Sequence, residues 1–139
     1  MTQPFTVELL HGLAEAGARH TRAELRDPDG HDEAMLAELR EGATPAESVT
    51  ALLAALTLRI GEIERPTPDR IRALSVGDRE RLMLALCARL LGHEADLVAA
   101  CTSCGALAEV TVAFAGLARS DALADSHVTL TDGEARWTA

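Results

Sequence analysis

Two cysteines stand in the sequence Cys-Thr-Ser-Cys-Gly, at Cys101 and Cys104, and their spacing suits metal binding. A C-x-x-C-G turn can present two thiolates to one Zn²⁺ at Zn–S distances of about 2.3 Å, and a structural zinc site needs about four ligands. Cys87 and His93 would complete the set if the end of the preceding helix folded back onto the turn, and His127 is a further candidate. The sequence therefore predicts half of a zinc site, with Cys101, Cys104, Cys87 and His93 as the candidate metal ligands.

The same cysteine pair has two other interpretations. A redox pair is expected at a helix N-terminus after a strand, where the helix dipole lowers the thiol pKa. Here the pair lies between two apolar runs, residues 97–100 and 110–114, which is typical of a β-hairpin tip. This context disfavours redox chemistry. A half zinc site and a tip with two free thiols both remain open.

Two helices with clear end signals must position this turn. Ser75 is the predicted N-cap of a helix over residues 76–91, with Asp78 placed to close a capping box and Gly92 as the stop. Its apolar residues form a wide stripe that predicts burial on two sides: Leu82, Met83, Leu84, Leu86, Cys87, Leu90 and Leu91. Thr44-Pro45-Ala46-Glu47 starts another helix, whose apolar spacing through residues 49–60 predicts an end at Gly61.

The rest of the chain predicts short strands around this helical part. Residues 5–10 and 20–25 read as a strand pair joined by a loose connection with Gly12 and Gly17, and Asp29 should cap a helix over 31–40. We therefore expect an α+β fold: three helices, an N-terminal strand pair and a β-hairpin tipped by the C-x-x-C turn. The expected single domain, 1–139, divides into a strand pair (1–26), a helical core (29–92), the cysteine-tipped hairpin (95–115) and a terminal hairpin with an Asp-Gly turn (127–138).

Composition narrows the function classes. The chain of 139 residues has a formal charge of −9 and no lysine, so it has the wrong electrostatic field for phosphate backbones or anionic lipid. The N-terminus does not have the basic and apolar regions of a signal peptide, and no apolar window reaches the ~20 residues of a membrane span. These features predict a cytoplasmic protein. No nucleophile and base are placed together by sequence, which predicts that the protein is not an enzyme.

Four segments together resemble the phage T4-type baseplate protein family. They are LRDPDGHDEAMLAEL at 25–39, VTALLAALTLRIG at 49–61, IRALSVGDRERLMLALCARLLG at 71–92 and LVAACTSCGALAEVTVAF at 97–114. The most specific elements are the Leu-x-x-Gly-Asp-Arg helix start and the cysteine hairpin. Members of the family accompany contractile tails and contractile injection systems.

The resemblance implies a non-enzymatic baseplate component, or an assembly chaperone, whose partners are baseplate, hub or other tail-like proteins. Edge strands at residues 5–10 and 110–114 could accept a partner strand, and a groove beside the helix at 52–60 could accept a partner helix. The alternative is a small zinc-binding adaptor in which the metal shapes a hairpin that docks a partner enzyme or peptide. The two hypotheses differ in whether purified protein holds zinc.

Overall fold

The computed structural model describes residues 3–117, together with the backbone of two short strands nearer the C-terminus. The fold is α+β, as predicted from the sequence. Its strands are β1 (Phe5–Glu15), β2 (Ala18–Leu25), β3 (Thr57–Ile60), β4 (Ile63–Glu64), β5 (Glu94–Ala100), β6 (Leu107–Ala113), β7 (Thr129–Asp132) and β8 (Ala135–Thr138). Its helices are α1 (Gly30–Leu39), α2 (Pro45–Leu56), α3 (Pro68–Ala73), α4 (Val76–Leu91) and α5 (Phe114–Leu117).

An antiparallel sheet in the order β1-β2-β3-β4 forms the N-terminal side of the fold. The predicted strand pair is present, but the loose connection expected over residues 12–17 is wrong. β1 continues through Gly12 to Glu15, and the pairing register shifts between Glu8 and Leu13. Gly12 has φ +67 and lies so close to the carbonyl of His20 that a Cβ would clash. A glycine therefore allows a bulge inside a continuous strand, where the sequence suggested a loop.

The segment predicted as helical core contributes two strands to this sheet. α2 begins as predicted, with Thr44 and Glu47 forming a capping box, but it ends at Leu56 and not at Gly61. The next residues turn into β3, where Ile60 is fully buried and Arg59 pairs with Glu24 across the strands. A short apolar run fits helical and strand spacing equally well, which explains the error.

The described residues contain five helices, where three were expected. The additional α3 lies in the connector before the central helix, and α5 follows β6. α3 has the same start as α2, a threonine N-cap (Thr67) followed by proline at the first position (Pro68). α1 begins at Asp29 as predicted, and its N3 residue, Asp32, closes a capping box.

α4 is the helix that joins the sheet to the cysteine hairpin. Its bounds match the prediction, with Ser75 as N-cap and Gly92, at φ +91, as the stop. It buries Leu82 and Leu86 against the core, whereas Leu90 and Leu91 are 57% and 64% exposed. The prediction of burial on two sides is therefore wrong at the C-terminal end of this helix, because the chain leaves the body of the protein there.

The buried apolar side chains form one cluster between the sheet and helices α2, α3 and α4. Its members come from every strand of the four-stranded sheet: Val7, Leu9, Leu13, Ala23, Leu25, Leu53, Leu56, Ile60, Ile63, Ile71, Leu74, Leu82 and Leu86. Within the described part of the chain, no helix has the length and apolarity that a membrane crossing requires.

Two β-hairpins follow α4 in the chain, and the first of them, β5–β6, contributes no residue to this cluster. β5 and β6 pair along their whole length, which confirms the hairpin predicted for residues 95–115. β7 and β8 also pair, as expected for the hairpin predicted at 127–138. Residues 127–128 and 133–134 of that prediction, with His127 among them, lie outside the described residues.

Candidate metal knuckle and interaction surface

The β5–β6 hairpin is the part of the molecule with features that the core does not explain. All of its residues are exposed except Ala95 and Val112, which are half-buried at its base. An isolated two-stranded hairpin is marginally stable in water, and a sheet normally covers at least one face. Both faces of this hairpin are open, so its side chains are available for contacts.

The two faces of the hairpin differ in chemistry. Successive side chains of a strand point to opposite faces, and the register places Leu97 opposite Val110. One face is therefore entirely apolar, and we call it the apolar face: Ala95, Leu97, Ala99, Ala108, Val110 and Val112. The opposite face includes Asp96, Glu109 and Thr111, and the Thr111 hydroxyl donates to the Asp96 carboxylate at 2.7 Å.

Charge is also unevenly distributed along the hairpin. Glu94, Asp96 and Glu109 lie toward its base, whereas residues 97–108 contain no charged side chain. In a chain with a formal charge of −9, this distal half is an uncharged stretch of twelve residues. Another acidic surface can therefore approach the tip with less repulsion than it would meet elsewhere on the hairpin.

The tip has the backbone geometry of a metal knuckle. The Cys101 N–H donates to the Ala106 carbonyl at 2.8 Å, and the Gly105 N–H donates to the Cys101 carbonyl at 2.9 Å. Gly105 has φ +72, a conformation that glycine adopts readily and other residues rarely do. Gly105 therefore reverses the chain, while Cys101 and Cys104 are both exposed at the turn.

The same turn stabilises a thiolate at Cys101. Backbone N–H groups of Cys104 and Ser103 donate to the Cys101 sulfur and lower its pKa, and the Cys104 thiol adds a further hydrogen bond. Hydrogen bonds to a charged form favour that form, so Cys101 ionises more readily than an ordinary thiol. Thiolates are the form of cysteine that binds metal.

The other two predicted ligands are not near this turn. Cys87 is half-buried within α4, and His93 precedes β5 at the base of the hairpin, where its carbonyl accepts from the Phe114 N–H. The seven residues of β5, which span about 25 Å at strand rise, separate His93 from Cys101. Among residues 3–117, no group of three or more His, Cys, Asp or Glu side chains is placed to hold a metal ion. The condition for their participation, a helix end that folds back onto the turn, is not met, because β5 carries the turn away from α4.

α4 reaches β1 at residues 10–12, which overlaps the docking strand predicted at 5–10 only at its last residue. Asp78 is fully buried and its carboxylate accepts from the N–H groups of Leu10, His11 and Gly12, with 2.9 Å to the Gly12 nitrogen. Asp78 was expected to cap its own helix, but its side chain crosses to the sheet instead; only its N–H bonds to Ser75. The backbone at the centre of β1 is therefore not free to pair with another strand.

An apolar groove lies between α2 and α4, with a volume of about 580 Å³. Val49, Val76 and Met83 contribute to its walls, while Arg79 and Glu80 add charge to its lining. It lies beside the first half of α2, and not beside residues 52–60 as expected. It is a second surface that could accept a helix, but one with charged groups in its lining.

Sequence reasoning found the cysteine turn but did not find the apolar face. The alternation of Leu97 with Ala99 and of Val110 with Val112 is visible in the sequence and is the signal from which this face could have been predicted. The fold and site define an α+β protein from whose body an exposed, cysteine-tipped hairpin extends. Comparison with known proteins finds no matching family model, no matching curated protein and no matching solved structure.

Proposed function

We propose that this chain is a non-enzymatic assembly protein of a contractile, phage-tail-like particle, acting in the cytoplasm through contacts with baseplate or hub proteins. The observation that carries the proposal is the apolar face of the β5–β6 hairpin, which is open to solvent along most of its length. The resemblance of residues 25–114 to the T4-type baseplate family is the reason for proposing a contractile, phage-tail-like particle.

The apolar face suits a protein partner because of its shape and chemistry. Leu97 is 51% and Val110 43% exposed, and the register places them opposite each other at the centre of the face. Covering apolar surface gains about 25 cal/mol per Å², and a strand edge adds backbone hydrogen bonds to the contact. The free edges of β5 and β6 flank this face, so a partner strand could pair beside the apolar side chains that it covers.

The proposal is tested by copurification. The chain is coexpressed with the proteins encoded beside its gene, and complexes are isolated by affinity and size-exclusion chromatography. We expect a stable complex with a protein of a tail baseplate, spike or hub. A gene neighbourhood without tail and sheath proteins, together with no complex, would contradict the proposal.

Substitutions on the two faces of the hairpin locate the contact. Leu97→Asp with Val110→Asp places two charges on the apolar face, and we expect it to weaken the complex by at least about tenfold, or 1.4 kcal/mol. Val98→Asp with Leu107→Asp is the matched control, because these residues lie on the opposite face and are equally exposed or more so. Equal loss from both pairs would show that the contact is not made by the apolar face.

The zinc-binding adaptor is a second candidate, and the Cys101 turn favours it. Hydrogen bonds from Ser103 and Cys104 to the Cys101 sulfur are those of a turn that holds a thiolate. In that function the metal would fix the hairpin tip for a partner enzyme or peptide. Zinc analysis of protein purified without chelators separates the candidates: less than about a tenth of an equivalent per chain would argue against a four-ligand site.

A further inference from the structure

We propose that the hairpin tips of two copies of this chain share one Zn²⁺, each copy supplying Cys101 and Cys104. The shared site deepens the zinc-binding candidate and is independent of the baseplate proposal. It would be a four-thiolate site in which neither copy alone can satisfy the metal.

The tip is already folded as half of such a site. Cys101 and Cys104 are both exposed on one tight turn with the C-x-x-C spacing of a zinc knuckle, so one cation can contact both sulfurs. The turn is closed by backbone hydrogen bonds at Cys101 and Gly105. A preformed pair of ligands lowers the ordering cost of binding.

The remaining two ligands must come from outside the hairpin tip. Residues 97–108 contain no His, Asp or Glu, and the hydroxyls of Thr102 and Ser103 are poor zinc ligands compared with thiolates. The full length of β5 separates Cys87 and His93 from the cysteine turn. Zinc in structural sites is almost always bound by about four ligands in a tetrahedron, so two thiolates leave half of the coordination sphere open.

A second copy is the occupant that best fits the charge and shape of the tip. Two chains with a charge of −9 repel each other, and the uncharged half of the hairpin is where they can approach with least penalty. The tip extends from the body, so two tips can meet without contact between the acidic surfaces. Leu97 and Leu107, 51% and 74% exposed, lie in the same half of the hairpin and are available to the second copy.

The chemistry of the shared site balances without a redox step. Four thiols lose four protons to solvent as four metal–sulfur bonds form, leaving a site of net charge about −2 around one Zn²⁺. Since ligands must be deprotonated to bind, the affinity for zinc should rise with pH.

Zinc titration of the reduced, full-length chain tests the proposal. Zn²⁺ alone is the probe, bound metal is measured by elemental analysis, and mass is measured by native mass spectrometry and light scattering. We expect saturation at about half an equivalent per chain, a twofold rise in mass, and return to the original mass when a chelator is added. Circular dichroism before and after metal checks that the fold is unchanged.

Serine substitutions identify the ligands. Cys101→Ser and Cys104→Ser should each abolish both zinc uptake at half an equivalent and the twofold rise in mass. Cys87→Ser and His93→Ala are the matched controls, and both should retain these properties. Loss of the half-equivalent site in either control would overturn the shared arrangement.

Three results would overturn the shared site in different ways. One zinc per chain at unchanged mass would replace it with a site within a single copy and leave the adaptor candidate standing. No zinc uptake would remove the adaptor candidate as well. A doubled mass that needs no metal, or that a reductant reverses, would indicate apolar association or a disulfide. None of these results bears on copurification with baseplate proteins.

Discussion

In both the body of the protein and the β5–β6 hairpin, backbone groups are paired by hydrogen bonds. The two regions differ in what covers their side chains. In the body, α4 packs on the sheet, and even the N–H groups freed by the bulge at Gly12 find an acceptor in Asp78. In the hairpin, every ladder position from Glu94 to Ala100 is paired, yet its apolar side chains remain in solvent. The difference shows that backbone pairing forms an element, whereas burial determines whether it belongs to the core or to a surface.

We therefore expect the body to determine the stability of the protein and the hairpin to determine its binding. Apolar burial contributes about 1.5–3 kcal/mol for each fully buried Leu or Ile, and the hairpin has no such side chain. Substitutions in the body should therefore change the free energy of unfolding, whereas substitutions in the hairpin should change contacts with partners or metal. Three changes test this division.

Replacing Asp78 by Asn should have the largest effect. The carboxylate accepts hydrogen bonds from three consecutive N–H groups, at Leu10, His11 and Gly12. Asparagine has the same shape but only one acceptor oxygen, because its NH₂ group can only donate. At least one of the three N–H groups therefore loses its partner. The NH₂ group of asparagine then faces that N–H and also has no acceptor, so at least two donors are unpaired. Each buried donor without a partner costs about 1–3 kcal/mol, so we expect a loss of about 2–6 kcal/mol. Urea unfolding followed by circular dichroism measures it.

Asp96→Asn in the hairpin is the matched control for this change. The Asp96 carboxylate also accepts a hydrogen bond, from Thr111 at 2.7 Å, but it is exposed to water. Water can replace the lost interaction, so we expect a change of less than about 0.5 kcal/mol. Similar losses for Asp78→Asn and Asp96→Asn would contradict the division between body and hairpin.

Leu86→Ala should have the next largest effect. Leu86 is almost fully buried on α4, and truncation of a buried Leu costs about 2–5 kcal/mol through lost burial and the cavity that remains. Leu97→Ala removes the same atoms from an exposed site in the hairpin and should cost less than about 0.5 kcal/mol. Thermal and urea unfolding of both variants give the comparison. A loss below about 0.5 kcal/mol for Leu86→Ala would show that α4 is not part of the core.

Local end signals explain the parts of the fold that the sequence predicted well. Thr44 with Glu47, Ser75, and Gly92 determine where α2 starts and where α4 starts and ends, because caps act through neighbouring backbone groups. The cysteine hairpin was also predicted, since Gly105 and the apolar runs on either side are local features. Local rules therefore located these elements and the candidate ligands in the turn.

The errors concern interactions between residues that are distant in the sequence. β3 pairs with β2, and Asp78 reaches Leu10 across 68 positions of the chain. Neither contact leaves a local pattern. Whether Cys87 and His93 reach the cysteine turn could not be read from the sequence for the same reason, since the direction in which β5 leaves α4 depends on the packing of α4. The spacing of residues along the sequence indicates which side chains could bind a metal, but not how far apart those side chains lie in the fold.

Asp32 provides the last and smallest test, through its dependence on pH. Its side chain is nearly buried, and the paired guanidinium of Arg26, at 2.7 and 2.8 Å, holds its pKa below the usual range. A lowered folded-state pKa adds stability that is present above the unfolded Asp value of about 3.9 and is lost as pH falls through the folded value. Arg26 also donates to the Ala55 carbonyl, so the pair links α1 to the end of α2.

Asp32→Asn should therefore cost about 2 kcal/mol at neutral pH and make unfolding less sensitive to acid below pH about 4. Glu47→Gln is the matched control, because Glu47 closes the corresponding capping box on an exposed helix start and should cost less. Urea unfolding at a series of pH values from neutral to acid measures both. An acid profile unchanged by Asp32→Asn would mean that the Arg26 pair does not hold α1 on the body. In that case α1, like the hairpin, would be an element that contributes little to the stability of the core.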